Sequence, residues 1–172
     1  MNSGESGEEK TLNILVLGVG NVLLSDEGVG PRVVEGLSNG YQAPHGVELV
    51  DGGTMGFDLL PYLDERTHLL VVDAVNTGKE PGHTVRIKLD DPASFFRTMV
   101  SPHQLGLGEV LGVAAMTGNL PPSIVVIGIE PASLETSIDL SPVVEKKLPV
   151  LIKMVVDELK SLGIILKPTS DA

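Results

Sequence analysis

The stretch LNILVLGVGNVLLSDEGVGP, residues 12–31, joins an almost continuous apolar run to a turn rich in glycine. Such a run is typical of a parallel strand that is buried on both faces. Pro31 has no backbone donor and is tolerated in the first turn of a helix, so we expect a helix to begin near Gly30. The stretch therefore predicts a strand, a loop that carries Asp26 and Glu27, and a helix.

Comparable apolar runs recur along the chain and predict a sheet. The strand candidates are residues 12–19, 47–51, 68–75, 85–89 and 123–129. Helical patterns lie between or after them, at residues 30–37, 57–64, 105–116 and 142–162. Residues 85–89 alternate apolar with basic side chains, which is typical of an edge strand, and Pro149 predicts a kink or a new start in the last helix. We expect an α/β fold with a mostly parallel, twisted sheet, helices on both faces and one antiparallel edge strand.

The length and composition indicate one domain. The chain has 172 residues, of which 42% are hydrophobic, and it has three Phe, two Tyr and no Trp, so its core should be aliphatic. No internal repeat or linker divides it. We expect a single domain over residues 11–166, flanked by disordered tails at residues 1–10 and 167–172.

The charge and the lack of cysteine exclude several classes of function. A net charge of −11 argues against a nucleic-acid surface, since phosphate contacts rely on clustered Lys and Arg. Without cysteine, any metal must be held by nitrogen and oxygen ligands. No signal-like start and no apolar run of about 20 residues is present. We expect a cytoplasmic protein, monomeric, that binds neither membranes nor nucleic acids.

The glycines after the first strand resemble a dinucleotide fingerprint, but the pattern is incomplete. A G-x-G-x-x-G motif that begins at Gly18 needs a glycine at position 23, which is Leu23. Asp26 and Glu27 would also repel a pyrophosphate there. Nucleotide binding is therefore disfavoured, and the two acids either interact with the dipole of the following helix or belong to a different kind of site.

Two further polar residues are expected near the carboxyl ends of strands, where ligands bind in open α/β sheets. Asp73 follows four apolar residues of a central strand, and His103 precedes the helix that starts near Leu105. Asp73 could instead cap the next loop, and His103 could simply pack against its helix. Together with Glu27, however, they form a set of two carboxylates and one imidazole that suits a divalent transition ion.

A second glycine-rich turn follows the strand candidate at residues 47–51. It consists of Asp51, Gly52, Gly53 and Thr54. Its glycines permit positive φ angles, so one interpretation is a structural turn. The other is that its exposed backbone pairs with an extended peptide.

The ordered set of GVGNVLLSDEGVG, DGGT, VVDAV, SPHQLGL and IGIEP resembles the hydrogenase maturation endopeptidases. These enzymes process the large subunit of nickel–iron hydrogenases, and the resemblance covers nearly the whole chain. It implies a peptidase of the aspartic or metal-assisted type, whose partner is the large-subunit precursor. The family removes a C-terminal extension next to the last metal-binding cysteine motif of that precursor.

The resemblance also implies roles for individual residues. Glu27, Asp73 and His103 correspond to the residues that contact the metal and carry catalysis, and residues 51–54 correspond to the substrate-recognition loop. The nickel is carried by the substrate rather than bound permanently by the enzyme, and no organic cofactor is expected. Two alternatives remain open: a metal-dependent hydrolase of small substrates, and a non-catalytic chaperone that binds nickel or the precursor.

Overall fold

A five-stranded sheet forms the centre of the protein, which a computed structural model describes over residues 11–91 and 105–169. The strands of the chain are β1 (Ile14–Val19), β2 (Tyr41–Gln42), β3 (Val47–Gly53), β4 (His68–Ala74), β5 (Thr84–Leu89), β6 (Ser123–Ile129) and β7 (Lys167–Pro168). The central sheet has the order β3-β1-β4-β6-β5. All its pairings are parallel except that of β5 with β6. The predicted α/β fold with one antiparallel edge strand is confirmed.

Helices follow most of the strands. They are α1 (Val29–Gly40), α2 (Leu60–Leu63), α3 (Leu105–Thr117), α4 (Pro142–Glu145) and α5 (Leu148–Ser161), with 3-10 helices at Ser25–Gly28 and Gly56–Leu59. The single helix expected over residues 142–162 is thus two helices, and Pro149 lies in the first turn of the second. A proline is tolerated there because the first-turn amides have no partner within the helix. Among the described helices, none combines the length and apolar character that crossing a membrane requires.

The sheet is buried on both faces, as the apolar runs predict. Side chains of one parity, such as Val16 on β1 and Val72 on β4, pack under α1 and α5. Side chains of the other parity, such as Leu17 and Val71, pack under α2 and α3. Because side chains alternate along a strand, Asp73 belongs to the face that α3 covers.

The C-terminal boundary differs from the expected one. Residues 167 and 168, which we expected in a disordered tail, form β7 and pair in antiparallel fashion with β2. The preceding Leu166 is buried in the core, and the amide of Thr169 donates to the carbonyl of Gly40. These contacts hold the segment against the end of α1.

Candidate active site

Two of the predicted site residues lie at the carboxyl-terminal edge of the central strands. Glu27 is in the 3-10 helix Ser25–Gly28, which follows β1, and Asp73 is the sixth residue of β4. Both side chains are fully buried. The predicted loop that carries Glu27 is thus a buried 3-10 helix, which packs on β4.

Gly20 brings these two elements together. A Cβ at residue 20 would lie 1.8 Å from the carbonyl oxygen of Glu27 and 3.8 Å from Oδ1 of Asp73. Its φ of +128° is also one that residues with side chains rarely adopt. The backbone of the 3-10 helix can approach the turn after β1 this closely only because residue 20 has no side chain.

Gly18, the first glycine of the incomplete fingerprint, and Gly30, at the start of α1, also serve close packing. A Cβ at Gly18 would lie 2.3 Å from the carbonyl oxygen of Gly30. A Cβ at Gly30 would lie 2.3 Å from the carbonyl oxygens of both Val19 and Val72. These glycines let the start of α1 contact the ends of β1 and β4 directly, so their spacing has a structural reason that requires no phosphate.

Asp26 is an anchor for a distant loop. Its Oδ2 accepts hydrogen bonds from the amides of Ala132 and Ser133 at 2.8 and 2.9 Å and from the Ser141 hydroxyl at 2.8 Å. Its Oδ1 accepts one from the Ser141 amide at 2.7 Å. The carboxylate is fully buried, and four donors satisfy it. Asp26 thus holds residues 132–141 against the turn that carries Glu27.

Replacing Asp26 with Asn should destabilise the protein by about 2–3 kcal/mol, because the new amide group cannot accept a hydrogen bond where the carboxylate does. Urea unfolding of the wild type and the Asp26→Asn variant measures this difference. The matched control is Asp139→Asn, an exposed side chain of the same loop, which should change stability by no more than about 0.5 kcal/mol. Equal stability of the two variants would contradict the anchoring role.

The glycine-rich segment of residues 51–54 lies directly beside this edge, and its first three residues extend β3 rather than forming a turn after it. The carbonyl of Gly53 accepts a hydrogen bond from the amide of Gly20 at 3.0 Å. The Gly53 amide donates to Oδ1 of Asp51, also at 3.0 Å, and the φ of Gly53 is +41°. Asp51 and Thr54 are exposed, whereas Gly52 is buried. The predicted substrate-recognition turn therefore adjoins the turn that leads to Glu27.

Glu130 holds the loop that follows β4, a role that the sequence did not reveal. Its Oε2 accepts hydrogen bonds from the amide and the hydroxyl of Thr77, at 2.5 and 2.7 Å. Burial raises the pKa of Glu130, but the hydrogen bonds from Thr77 and from the backbone of residues 78 and 79 outweigh this effect and lower the pKa overall. The ionised form of Glu130 is therefore favoured in the folded protein.

Glu130 should consequently stabilise the fold above its ordinary pKa of 4.5 and lose this contribution as the pH falls through its lower pKa in the folded state. The unfolding free energy of wild type should exceed that of Glu130→Gln near pH 7, and the gap should narrow below about pH 4.5. Chemical unfolding between pH 3 and 7 tests this. Glu135→Gln, which removes an exposed carboxylate of the next loop, should show no such gap. If the difference in unfolding free energy between wild type and Glu130→Gln did not decrease below about pH 4.5, the proposed role of Glu130 would be contradicted.

The third predicted ligand, His103, lies outside the described residues. Within residues 11–91 and 105–169, no three His, Asp or Glu side chains are grouped so that they could hold a metal ion. Of the other three histidines, His45 and His83 are exposed. His68 instead is partly buried at the start of β4, and this burial lowers its pKa.

Known proteins resemble this chain over most of its length. The family model for hydrogenase maturation proteases matches residues 31–158. The Hydrogenase 2 maturation protease of Escherichia coli (strain K12) is 40% identical over 154 residues, which is 89% of this chain and 94% of that protein. The protein HupD of Rhodobacter capsulatus, named for hydrogenase expression and formation, is 41% identical over 157 residues, or 90% of this chain and 75% of that one.

The fold leads to the same relatives. The structure of the hydrogenase maturating endopeptidase HybD from Escherichia coli matches with a TM-score of 0.86 at 41% identity, covering 94% of this chain and all of that one. The molecule is thus a peptidase built on a single α/β domain. It belongs to the hydrogenase maturation protease family, which confirms the resemblance predicted from its motifs.

Proposed function

We propose that this protease removes the C-terminal extension from the nickel-loaded large-subunit precursor of a nickel–iron hydrogenase, acting as a cytoplasmic monomer. Glu27, Asp73 and His103 contact the nickel that the precursor carries. The observation that supports this most directly is that two fully buried acidic residues from different elements both adjoin Gly20, Glu27 through its backbone carbonyl and Asp73 through Oδ1. The maturation protease relatives supply the class of substrate.

The electrostatics of the edge favour a cation. Like charges repel each other more strongly where little water screens them, and Glu27 and Asp73 are both fully buried acids. A divalent ion that reaches both would remove this repulsion. Affinity for the precursor would then depend on its nickel, since a precursor without the ion leaves the repulsion in place.

The placement of α3 supports the third ligand. This helix begins at Leu105, two residues after His103 in the sequence, and it covers the face of the sheet to which Asp73 belongs. In the proposed set, two carboxylates and an imidazole leave coordination positions that the precursor's own ligands fill. The ion then bridges enzyme and substrate.

For hydrolysis, we propose that Asp73, or a water held between Glu27 and Asp73, acts as the general base. The attacking water gives up a proton as its oxygen bonds to the scissile carbonyl carbon, and His103 or the ion polarises that carbonyl. The C–N bond then breaks, and the leaving nitrogen takes a proton to become the new amino terminus.

The proposal predicts cleavage of the nickel-loaded precursor and none of the nickel-free precursor. Incubating each with the purified protease and measuring the mass of the large subunit tests this. A mass loss that equals a C-terminal fragment, seen only with nickel, is the expected result. Binding without any mass loss would instead support a non-catalytic chaperone, and equal cleavage of both precursors would contradict recognition of the metal.

The variants Glu27→Gln, Asp73→Asn and His103→Ala should each reduce cleavage by at least about a hundredfold while the protein stays folded, because each removes a proposed metal contact. Rates with nickel-loaded precursor, together with circular dichroism, measure both properties. The matched control is Asp64→Asn, which removes an exposed carboxylate just after α2, ahead of β4. Full activity of a folded His103→Ala variant would refute the role of His103.

A further inference from the structure

A small cavity opens at the same edge of the sheet as the two buried acids. Its volume is about 120 Å³, and its described walls come from the ends of β1 and β3, the 3-10 helix Gly56–Leu59 and the start of α3. Four of the lining residues are glycines, namely Gly20, Gly53, Gly56 and Gly106. The cavity has no role in the proposed contacts to nickel.

The walls and the size of the cavity suit one aliphatic side chain. Val19, Leu59 and Leu107 supply its apolar side chains, and all three are buried. An apolar cavity of about 150 Å³ is large enough for a benzene molecule. A space of 120 Å³ therefore accepts a chain of about four carbons, such as that of Val, Leu or Met, but is tight for a larger aromatic side chain.

The cavity lies within reach of the proposed cleavage site. Gly20 lines it, and the position of a Cβ on Gly20 is 3.8 Å from Oδ1 of Asp73. Consecutive Cα atoms of a peptide are 3.8 Å apart. A peptide whose scissile bond lies at Asp73 would therefore bring a side chain to the cavity from a residue close to that bond.

We propose that this cavity is a specificity pocket that takes one aliphatic side chain of the precursor, from a residue within two positions of the scissile bond. This inference rests on the proposed function. The occupant is a peptide side chain because the chain is a peptidase, and it is aliphatic because the buried walls are hydrocarbon. Burial of that side chain contributes to cleavage only if it favours the transition state at Asp73.

Gly106 offers a direct way to fill the pocket. It is the second residue of α3, and among the described residues the only neighbour that an added Cβ would meet within 4 Å is the Cα of Gly56, at 3.8 Å. Gly56 lies across the pocket, so a side chain at residue 106 would extend into it. Alanine and leucine also favour a helix more than glycine does.

Gly112 supplies the matched control. It lies in the same helix, and a Cβ there would meet no atom of residues 11–91 or 105–169 within 4 Å. It does not line the cavity. Gly112→Ala and Gly112→Leu therefore make the same chemical changes in α3 without filling the pocket.

The experiment uses nickel-loaded precursors in which each of the two residues on either side of the cut is changed in turn to Gly, Ala, Val, Leu or Phe. For wild-type protease, kcat/KM should rise about tenfold or more from Gly to Val or Leu at one of these positions and fall again for Phe. Gly106→Ala should weaken this preference, and Gly106→Leu should reverse it in favour of Gly and Ala. The Gly112 variants should keep the wild-type profile.

Three outcomes would contradict the proposal that the cavity is a specificity pocket. The first is a wild-type profile without any size preference, and the second is a Gly106→Leu profile that matches that of Gly112→Leu. Either one leaves the proposed function intact, because wild type still cleaves. The third is a wild-type protease that cleaves no nickel-loaded precursor, which refutes the proposed function and the pocket with it. Thermal melting of each variant confirms that the comparisons are made on folded protein.

Discussion

The position of the buried acids depends on a backbone contact that residue 20 permits because it is glycine. The carbonyl of Glu27 occupies the space that a Cβ at this residue would need, so any side chain there would displace the 3-10 helix from the end of β1. Gly30 permits a second contact of this kind, because a Cβ there would clash with the carbonyl oxygens of Val19 and Val72. Close approach of main chains, rather than side-chain packing, sets the spacing between the element that carries Glu27 and the strand that carries Asp73.

Ser25 and Asp26 fix the turn that carries Glu27. Asp26 accepts four hydrogen bonds from residues 132–141, and Ser25 adds two more, from its amide to Ser137 and from its hydroxyl to Asp139. Ser25 has a φ of +48°, a conformation that costs free energy in a residue with a side chain. The hydrogen bonds of Ser25 and Asp26 thus hold the turn against residues 132–141 despite this cost. Glu27 follows Asp26 directly, so these bonds also fix its position.

The sequence predicts the sheet, its antiparallel edge and the break at Pro149, because apolar runs and proline act locally. It does not predict β7, a two-residue strand whose partner β2 is more than a hundred residues away. For the candidate site, the location of Asp73 near the carboxyl end of β4 was predictable from the apolar run before it, and its role stays a prediction. The anchoring roles of Asp26 and Glu130 were not, since their donors come from segments remote in sequence.

The features that destabilise the carboxyl-terminal edge of the sheet also leave space there for a substrate. Burying two carboxylates is unfavourable, and glycines contribute no side chain to the core, so this region depends on the aliphatic layers on both faces for its stability. In the proposed function a cation that contacts both carboxylates lowers this cost, and binding of the precursor becomes selective for the nickel-loaded form. The absence of side chains at Gly20, Gly53 and Gly106 leaves room for a peptide beside that cation. If side chains filled this space in the free protein, neither the peptide nor the cation could bind there.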